Sequence, residues 1–277
     1  GIIMKLFFLT SEITPFTLPS VLGNYSAKVS LLLQGKSHDL RTMIPKYGYI
    51  SERKYILREV IRLREIPFEF DGMDQNTSAK SAFIPKTRVQ VYFLEHLEWF
   101  KPISNLLYKA KNGRILSDND MRFAYFACAG LAIIPHLFWK PDMYLCHGWQ
   151  SSLVPLLYHQ KYKDKVSKNI NYKNIKTTYI VHSMDEFCQF KRESFDSAGL
   201  KLPDYLDNDV VNTHETAVHY ADKVIVFNYP NSSMVDDFMK LKAVEKHSKK
   251  VSVIDWNDVE SPDYFTLSDK IDEVLTS

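Results

Sequence analysis

The stretch "IIMKLFFLTSEITPFTLPSVLGNYSAKVSLLLQGKSHDLRTMIP", residues 2–45, reads as a strand, a helix and a second strand. Residues 2–9 are apolar except for Lys5, which is typical of a strand covered on both faces. Apolar side chains then recur at helical spacing through residues 21–36, and a short strand at 39–45 closes with a proline. Two strands joined by a helix pair in parallel through a right-handed crossover, so this unit predicts a layered α/β fold.

The second half of the chain repeats this alternation. A long apolar helix is expected over 117–138, and Ser117 with Asp120 forms a capping-box pattern at its start. The remaining elements predicted here are strands at 142–147, 177–183, 223–228 and 251–255, and helices at 151–162, 209–221 and 268–277. Alternation of this kind predicts a Rossmann-like, doubly wound and mostly parallel sheet with helices on both faces, built as a single domain over residues 1–277.

One segment departs from the pattern. In residues 53–96, two stretches alternate apolar with polar residues, which is typical of antiparallel or edge strands. We expect a small antiparallel insertion here. The polar residues 71–81 between the two stretches are expected to form a mobile loop.

Composition and charge exclude several classes of protein. Of the 277 residues, 45% are hydrophobic and 25% are charged, which are ordinary values for a globular chain. The formal net charge is only +2, from 35 basic and 33 acidic residues. A nucleic-acid-binding protein usually carries a concentrated basic surface, so we expect no nucleic-acid partner.

Cysteine usage and hydropathy predict the compartment. Cys128, Cys146 and Cys188 show no C-x-x-C spacing and sit among apolar residues, which favours buried reduced thiols over a metal site or a disulfide. The first twelve residues are too short for the apolar region of a secretory leader, and their acidic residue comes too early. No apolar run approaches the roughly 18 residues that cross a bilayer. We therefore expect a cytoplasmic protein without membrane contact.

Polar side chains follow several predicted strands, at the edge of the sheet where α/β proteins bind ligands. They are Ser11 and Glu12; His147, Trp149 and Gln150; His182, Ser183, Asp185 and Glu186; and Asn228, Tyr229 and Asn231. Such a set suits a sugar, because hydroxyls need fixed donors and acceptors and an indole can lie against the apolar face of a pyranose. Each member also has a structural alternative: a histidine that bonds the backbone, a core tryptophan, or a glutamate that caps a helix.

Other chemistries find less support. The histidines show no H-E-x-x-H arrangement, and His214 and His219 are five positions apart, so we predict no metal site. A serine hydrolase is not indicated, because the chain has no G-x-S-x-G motif.

Several segments together resemble the N-terminal catalytic domain of bacterial glycogen synthases and plant starch synthases. These segments are "MKLFFLTSEITPF", "GKSHDLRTMIPKYG", "DNDMRFAYFACAGL", "YLCHGWQSSLVPLLY", "TYIVHSMDEF" and "NTHETAVHYADKVIVFNY". Their order and spacing are similar to the family's from about residue 4 to residue 235.

The resemblance implies half of a two-domain GT-B glycosyltransferase. Such enzymes transfer glucose from ADP-glucose to an α-1,4-glucan without a metal or another cofactor. By resemblance, His182 would hold the transferred sugar and His147 would orient it. The other matched positions, implied as substrate-binding, are Glu12, Trp149, Gln150, Asp118, Asn119 and Arg122. The family also has a C-terminal nucleotide-binding domain of about 200 residues, which we expect to be absent from this chain.

The chain departs from the family at the donor phosphates. The family's Lys-x-Gly-Gly turn corresponds to Leu18, Pro19, Ser20 and Val21, so the charge and both glycines are replaced and one N–H is lost. The aspartate of the family's H-D-W segment is Gly148 here, and the asparagine after the T-x-H histidine is Ser183. We therefore expect a degenerate nucleotide-phosphate turn.

Three functional hypotheses follow. The chain is a glucosyltransferase domain that needs a separate C-terminal domain to act, a non-catalytic module that binds α-glucan or maltooligosaccharide, or a structural domain that forms a homodimer or is covered by another protein.

Overall fold

The computed structural model describes residues 1–103 and 106–277. The strands are β1 (Lys5–Leu9), β2 (Asp39–Pro45), β3 (Arg58–Glu59), β4 (Ile66–Phe70), β5 (Met73–Phe83), β6 (Gln90–Glu95), β7 (Met143–His147), β8 (Val166–Ser167), β9 (Ile170–Asn171), β10 (Lys176–Val181), β11 (Gln189–Lys191), β12 (Val210–Asn212), β13 (Lys223–Asn228) and β14 (Val251–Asp255).

Helices cover both faces of the sheet that these strands form. The α-helices are α1 (Val21–Gly35), α2 (Asn119–Ala132), α3 (Ile134–Leu137), α4 (Val154–Leu157), α5 (Arg192–Ser197), α6 (Thr213–Tyr220), α7 (Met234–Met239), α8 (Lys242–Lys246) and α9 (Tyr264–Thr276). A π-helical turn continues α4 over Tyr158–Tyr162. Short 3-10 turns lie at Ile61–Leu63, Trp149–Ser151, Glu186–Cys188, Asp204–Leu206 and Ser248–Lys250. No helix in the described ranges combines the length and apolarity needed to span a bilayer.

The main sheet is mostly parallel, as the sequence predicts. Its parallel part has the order β14-β13-β10-β7-β1-β2-β6, and β5 and β3 extend it antiparallel beyond β6. Strand β1 pairs in parallel with β2 on one side and with β7 on the other. The chain therefore reverses its direction of winding beside β1. This confirms the doubly wound α/β fold with a small antiparallel addition.

The prediction of a mobile loop at 71–81 is wrong. Strand β5 begins at Met73, and Asp71 and Gly72 form a two-residue hairpin turn with positive φ angles of 56° and 72°. The polar residues of β5 belong to a strand whose other face is covered, since Thr77 and Ala79 are buried. Clustered Ser, Thr and Asn indicated a loop, but strand pairing on both sides of β5 decided the conformation.

Two further predictions need correction. Strand β6 is antiparallel only to β5, because its other edge pairs in parallel with β2, so residues 90–95 are interior to the sheet. The capping box at Ser117 does not form: Asp118 is the N-cap residue of α2 and makes no side-chain capping bond. The Asp120 carboxylate instead accepts a hydrogen bond from the Lys191 N–H at 3.0 Å, which ties α2 to the segment before α5.

The C-terminal segment packs onto the same sheet and helices. Strand β14 pairs in parallel with β13, and α9 packs against α1. Asp269 forms an ion pair with Lys36, and His38 donates from Nε2 to Asp272 Oδ1 at 2.6 Å while its Nδ1 accepts the Met4 N–H. The cysteines predicted as buried thiols are buried and free.

Truncation of α9 at its buried face should destabilise the whole domain. Ile271 is fully buried in the core, so Ile271→Ala should lower the free energy of unfolding by about 2–5 kcal/mol in urea titration. The matched control is Lys270→Ala on the exposed face, with an effect within about 0.5 kcal/mol. Equal stability of the two variants would show that α9 is not part of the cooperative unit.

Candidate active site at the carboxyl edge of the sheet

The candidate site lies where β1 and β7 end side by side. Parallel sheets bind ligands at the carboxyl ends of neighbouring strands whose connections lead in opposite directions, and β1 and β7 form that point here. Glu12 follows β1, His147 ends β7 and His182 follows β10. The structure therefore brings these three predicted residues to one edge.

His147 is fully buried and held in one neutral tautomer. Its Nδ1 lies 2.9 Å from the Leu9 carbonyl oxygen, which can only accept, so Nδ1 carries the proton. Its Nε2 then accepts from the Tyr25 hydroxyl at 3.1 Å, and the ring stacks on Phe8. Burial lowers the pKa of His147 to about 3. Its side chain is thus satisfied by the protein itself.

His182 packs against aromatic rings and is half-buried as a whole residue. Its ring centre lies 4.6 Å from that of Tyr25, 5.0 Å from Phe227 and 5.5 Å from His147. Both ring nitrogens are shielded from solvent and have no hydrogen-bond partner among the described residues. Burial, with a smaller contribution from His147, holds the pKa of His182 well below its usual range. A buried polar group without a partner costs free energy, so this arrangement is the least satisfied part of the site.

Tyr25 is the centre of this arrangement. It projects from α1 and packs against Phe227 and Trp256 as well as both histidines. We call Tyr25, His147, His182, Phe227 and Trp256 the aromatic cluster. The helical spacing of α1 marks Tyr25 only as a core position, and Trp256 follows the last strand, so the sequence did not identify either as part of the site.

Glu12 belongs to a hydrogen-bond network within the protein. Its two carboxylate oxygens accept from the Ser20 and Tyr108 hydroxyls, each at 2.8 Å. The Tyr108 oxygen in turn accepts from Gln150 Nε2 at 3.1 Å and lies 2.7 Å from Ser11 Oγ. Burial raises the pKa of Glu12, although the two hydroxyl bonds oppose that rise. Glu12 and Gln150 therefore meet at Tyr108, which the sequence did not single out.

The turn before α1, residues 12–20, carries no cationic side chain. Leu18, at the position where the resemblance implies a lysine, is 52% exposed. Ser20 is the N-cap of α1, and its Oγ accepts the Gly23 N–H at 2.8 Å. The capping bond uses one of the helix N–H groups that an anion would otherwise contact, and Pro19 offers none.

The residues at the start of α2 act on the segment that carries Tyr108. Arg122 is fully buried and donates to the Leu107 carbonyl at 3.1 Å and to Asn119. Asn119 donates from Nδ2 to the Tyr108 carbonyl at 3.1 Å. Asp118 forms an ion pair with Arg122 but keeps 49% side-chain exposure. This trio positions Tyr108 and, through it, Glu12.

Trp149 lies in the core. It is only 2% exposed, stacks on Phe187, and meets Phe123, Tyr108 and Phe190 edge to face. No ring face is left for a pyranose in this conformation.

Gly148 has a backbone conformation that favours glycine. Its φ of 72° and ψ of −177° are rarely adopted by residues with a Cβ, and a Cβ would come within 2.4 Å of Gln150 Oε1.

No cluster of three potential metal ligands occurs in the described ranges. His214 bonds within the protein, because Nε2 lies 2.8 Å from the Ser183 carbonyl and Nδ1 lies 2.6 Å from the Tyr179 hydroxyl.

Removal of the Tyr25 hydroxyl should destabilise the protein. Tyr25→Phe leaves His147 Nε2 buried without a donor, so the free energy of unfolding should fall by about 1–3 kcal/mol in urea titration. Tyr55→Phe is the control, because the Tyr55 hydroxyl bonds the Pro15 carbonyl at an exposed site where water replaces it. A loss no larger than that of the control would contradict the assigned bond.

The pKa of His147 also predicts a pH dependence. Its folded value of about 3 lies below its ordinary value of 6.5, so its contribution to stability is present above pH 6.5 and is lost as pH falls towards 3. In NMR titration, its ring signals should stay constant from pH 8 to pH 5, with His147→Gln providing the assignment. A midpoint between pH 6 and 7 would refute the buried neutral state.

Comparison with known proteins identifies the family. The starch synthase catalytic domain family matches residues 5–229. The chain is 27% identical over 280 residues to a glycogen synthase of Pelodictyon phaeoclathratiforme, covering 96% of this chain and 55% of that protein. It is 31% identical over 179 residues to a glycogen synthase of Chlorobium luteolum, covering 65% and 36% respectively.

A solved structure shows the same fold. The catalytic domain of starch synthase IV from Arabidopsis thaliana, bound to ADP and acarbose, superposes with a TM-score of 0.73 at 22% identity. The match covers 91% of this chain and 51% of that one. The chain spans about half the length of these relatives, or less. From its matched residues and its fold, the chain belongs to the starch synthase catalytic domain family, which includes the glycogen synthases.

Proposed function

We propose that this domain holds an α-glucan acceptor and forms one wall of a glucosyltransferase site, but does not itself transfer glucose from ADP-glucose. Family membership supports the reaction class. The solved relative is bound to ADP and acarbose, which makes a nucleotide and a saccharide the first ligands to test here. The observation that carries the proposal is the enclosure of His182 by Tyr25 and Phe227.

The sugar side of the donor site is closed. A transferred glucose can bond a histidine only if a ring nitrogen is accessible, and both nitrogens of His182 are shielded. The Nε2 of His147 is already occupied by the Tyr25 hydroxyl. Tyr25 or Phe227 would have to move before a sugar could reach either imidazole.

The turn before α1 also lacks groups that would favour binding of the donor diphosphate. Binding a diphosphate needs positive charge or free backbone N–H groups, and the turn presents an exposed leucine, a proline and a capped helix end. Both halves of an ADP-glucose site are therefore weakened on this chain, and transfer would require groups from a second domain.

The same observations favour a second candidate, a non-catalytic α-glucan-binding module of glycogen metabolism. The turn before α1 has no lysine or paired glycines, and aromatic side chains pack against both histidines. These features disfavour binding of ADP-glucose and leave the rest of the fold unchanged. The two candidates differ in whether a complementary domain restores transfer.

Incorporation of labelled glucose tests the proposal. The chain is incubated with ADP-[¹⁴C]glucose and glycogen, alone and with the separately produced C-terminal half of the Pelodictyon enzyme, with the intact Pelodictyon enzyme as positive control. We expect no incorporation by the chain alone. Incorporation by the chain alone at a rate near that of the control would overturn the proposal. Activity restored by the added half would favour the glucosyltransferase candidate over the binding module.

A further inference from the structure

A cavity of about 390 Å³ lies away from the candidate active site, between β4, the last two turns of α2 and the helical segment that follows β7. This volume is in the range of sites that hold small organic molecules. Three lysines line the cavity, and Glu69 is its one carboxylate among the described residues. Its apolar floor is formed by Phe68, Cys128, Ala132, Leu157, Tyr162 and Tyr172. The cavity therefore combines net positive charge with an apolar surface.

Lys161 reaches the cavity from the π-helical turn Tyr158–Tyr162. A hydrogen bond from the Lys163 N–H to the Tyr158 carbonyl, five residues earlier, closes this turn at 2.8 Å. Turns of this kind are rare and are frequently found at functional sites. Gly199 leaves space for the ammonium group, since a Cβ there would lie 2.0 Å from Lys161 Nζ. The wide turn and the glycine together place this cation at the cavity.

Lys168 reaches the cavity from a tight hairpin. Lys168 and Asn169 form the two-residue turn between β8 and β9, with φ angles of 48° and 68°. Such turns favour Asn, Asp or Gly at the first position, so turn chemistry does not account for a lysine there. The Lys168 Nζ donates to His136 Nδ1 at 3.3 Å, and His136 is only 7% exposed and also lines the cavity. The buried imidazole therefore holds this ammonium group beside the cavity.

Within the part of the chain that the structure describes, Lys161, Lys165 and Lys168 form no ion pair with a carboxylate. Lys165 instead lies over the ring of Tyr162, with its Nζ 5.0 Å from the ring centre. Like charges that line a common space repel, and a bound anion offsets that repulsion. Lysine ammonium groups are common ligands of phosphate in proteins, and the apolar floor is complementary to a carbon skeleton.

We propose that this cavity binds a small organic phosphate, with the phosphate group held by Lys161, Lys165 and Lys168 and the carbon skeleton packed on the apolar floor. A phosphate group carries about two negative charges near pH 7, which balances three lysines and Glu69.

The inference does not depend on the function proposed above, because the cavity shares no residue with the candidate active site. Helix α2 connects the two places: its first residue, Asn119, bonds the Tyr108 carbonyl, and its last residue, Ala132, lines the cavity. The length of this helix separates them by about 20 Å.

Calorimetric titration of the full chain with phenyl phosphate tests the site, because this probe carries one phosphate group and one apolar ring. Lys161→Met and Lys168→Met keep an apolar side chain and remove the charge, so each should raise the Kd about fivefold at low ionic strength. Lys163→Met is the matched control, because Lys163 is exposed, follows the same π-helical turn, lies outside the cavity and changes the net charge equally. Its Kd should stay within about twofold of that of the unmodified chain.

Two further ligands separate the contributions of charge and apolar surface. Phenol should not bind measurably, and inorganic phosphate should bind more weakly than phenyl phosphate, because it leaves the apolar floor uncovered. Absence of phenyl phosphate binding to the unmodified chain, or an equal loss in all three lysine variants, would overturn the site. Equal affinity for phenyl phosphate and inorganic phosphate would overturn the assignment of the apolar floor to a carbon skeleton.

Discussion

The parallel pairing of β1 with β2 on one side and β7 on the other is the constraint on which the rest of the structure depends. It places the residues after β1 and β7 at one edge, although Glu12 and His147 are 135 positions apart in the chain. Residues Leu6–Leu9 of β1 are fully buried, and the carbonyl of Leu9 at the end of β1 orients His147 by accepting its Nδ1–H. The candidate site is thus built on backbone geometry before any side chain contributes.

Desolvation decides the chemistry of that edge. Burial among aromatic rings disfavours the charged form of a histidine. His147 and His182 therefore stay neutral at pH values well below the ordinary pKa of histidine. Tyr25 satisfies one imidazole and covers the other. The same helix that carries Tyr25 begins at a turn without lysine or paired glycines. In the function that we propose, both features disfavour an anionic nucleotide and its sugar.

Several of the predicted binding residues form hydrogen bonds to Tyr108. Asn119 bonds its backbone, supported by Arg122, while Glu12 and Gln150 bond its hydroxyl. Residues that resemble a family's substrate contacts can therefore also hold one another, because a carboxylate and an amide at the edge of a sheet must find partners with or without a ligand.

The sequence by itself determined the strand–helix alternation, the family and the edge that carries Glu12, His147 and His182, because hydrophobic periodicity and motif spacing are local signals. Tertiary structure alone decided that polar residues 73–83 form a strand, since pairing with β4 and β6 outweighs their loop-like composition. It alone decided that Trp149 is core, whereas Trp99 keeps an accessible surface. It alone closed His182 beneath Tyr25, because that contact joins residues 157 positions apart, from α1 and the end of β10, which only the packing of α1 against the sheet brings together.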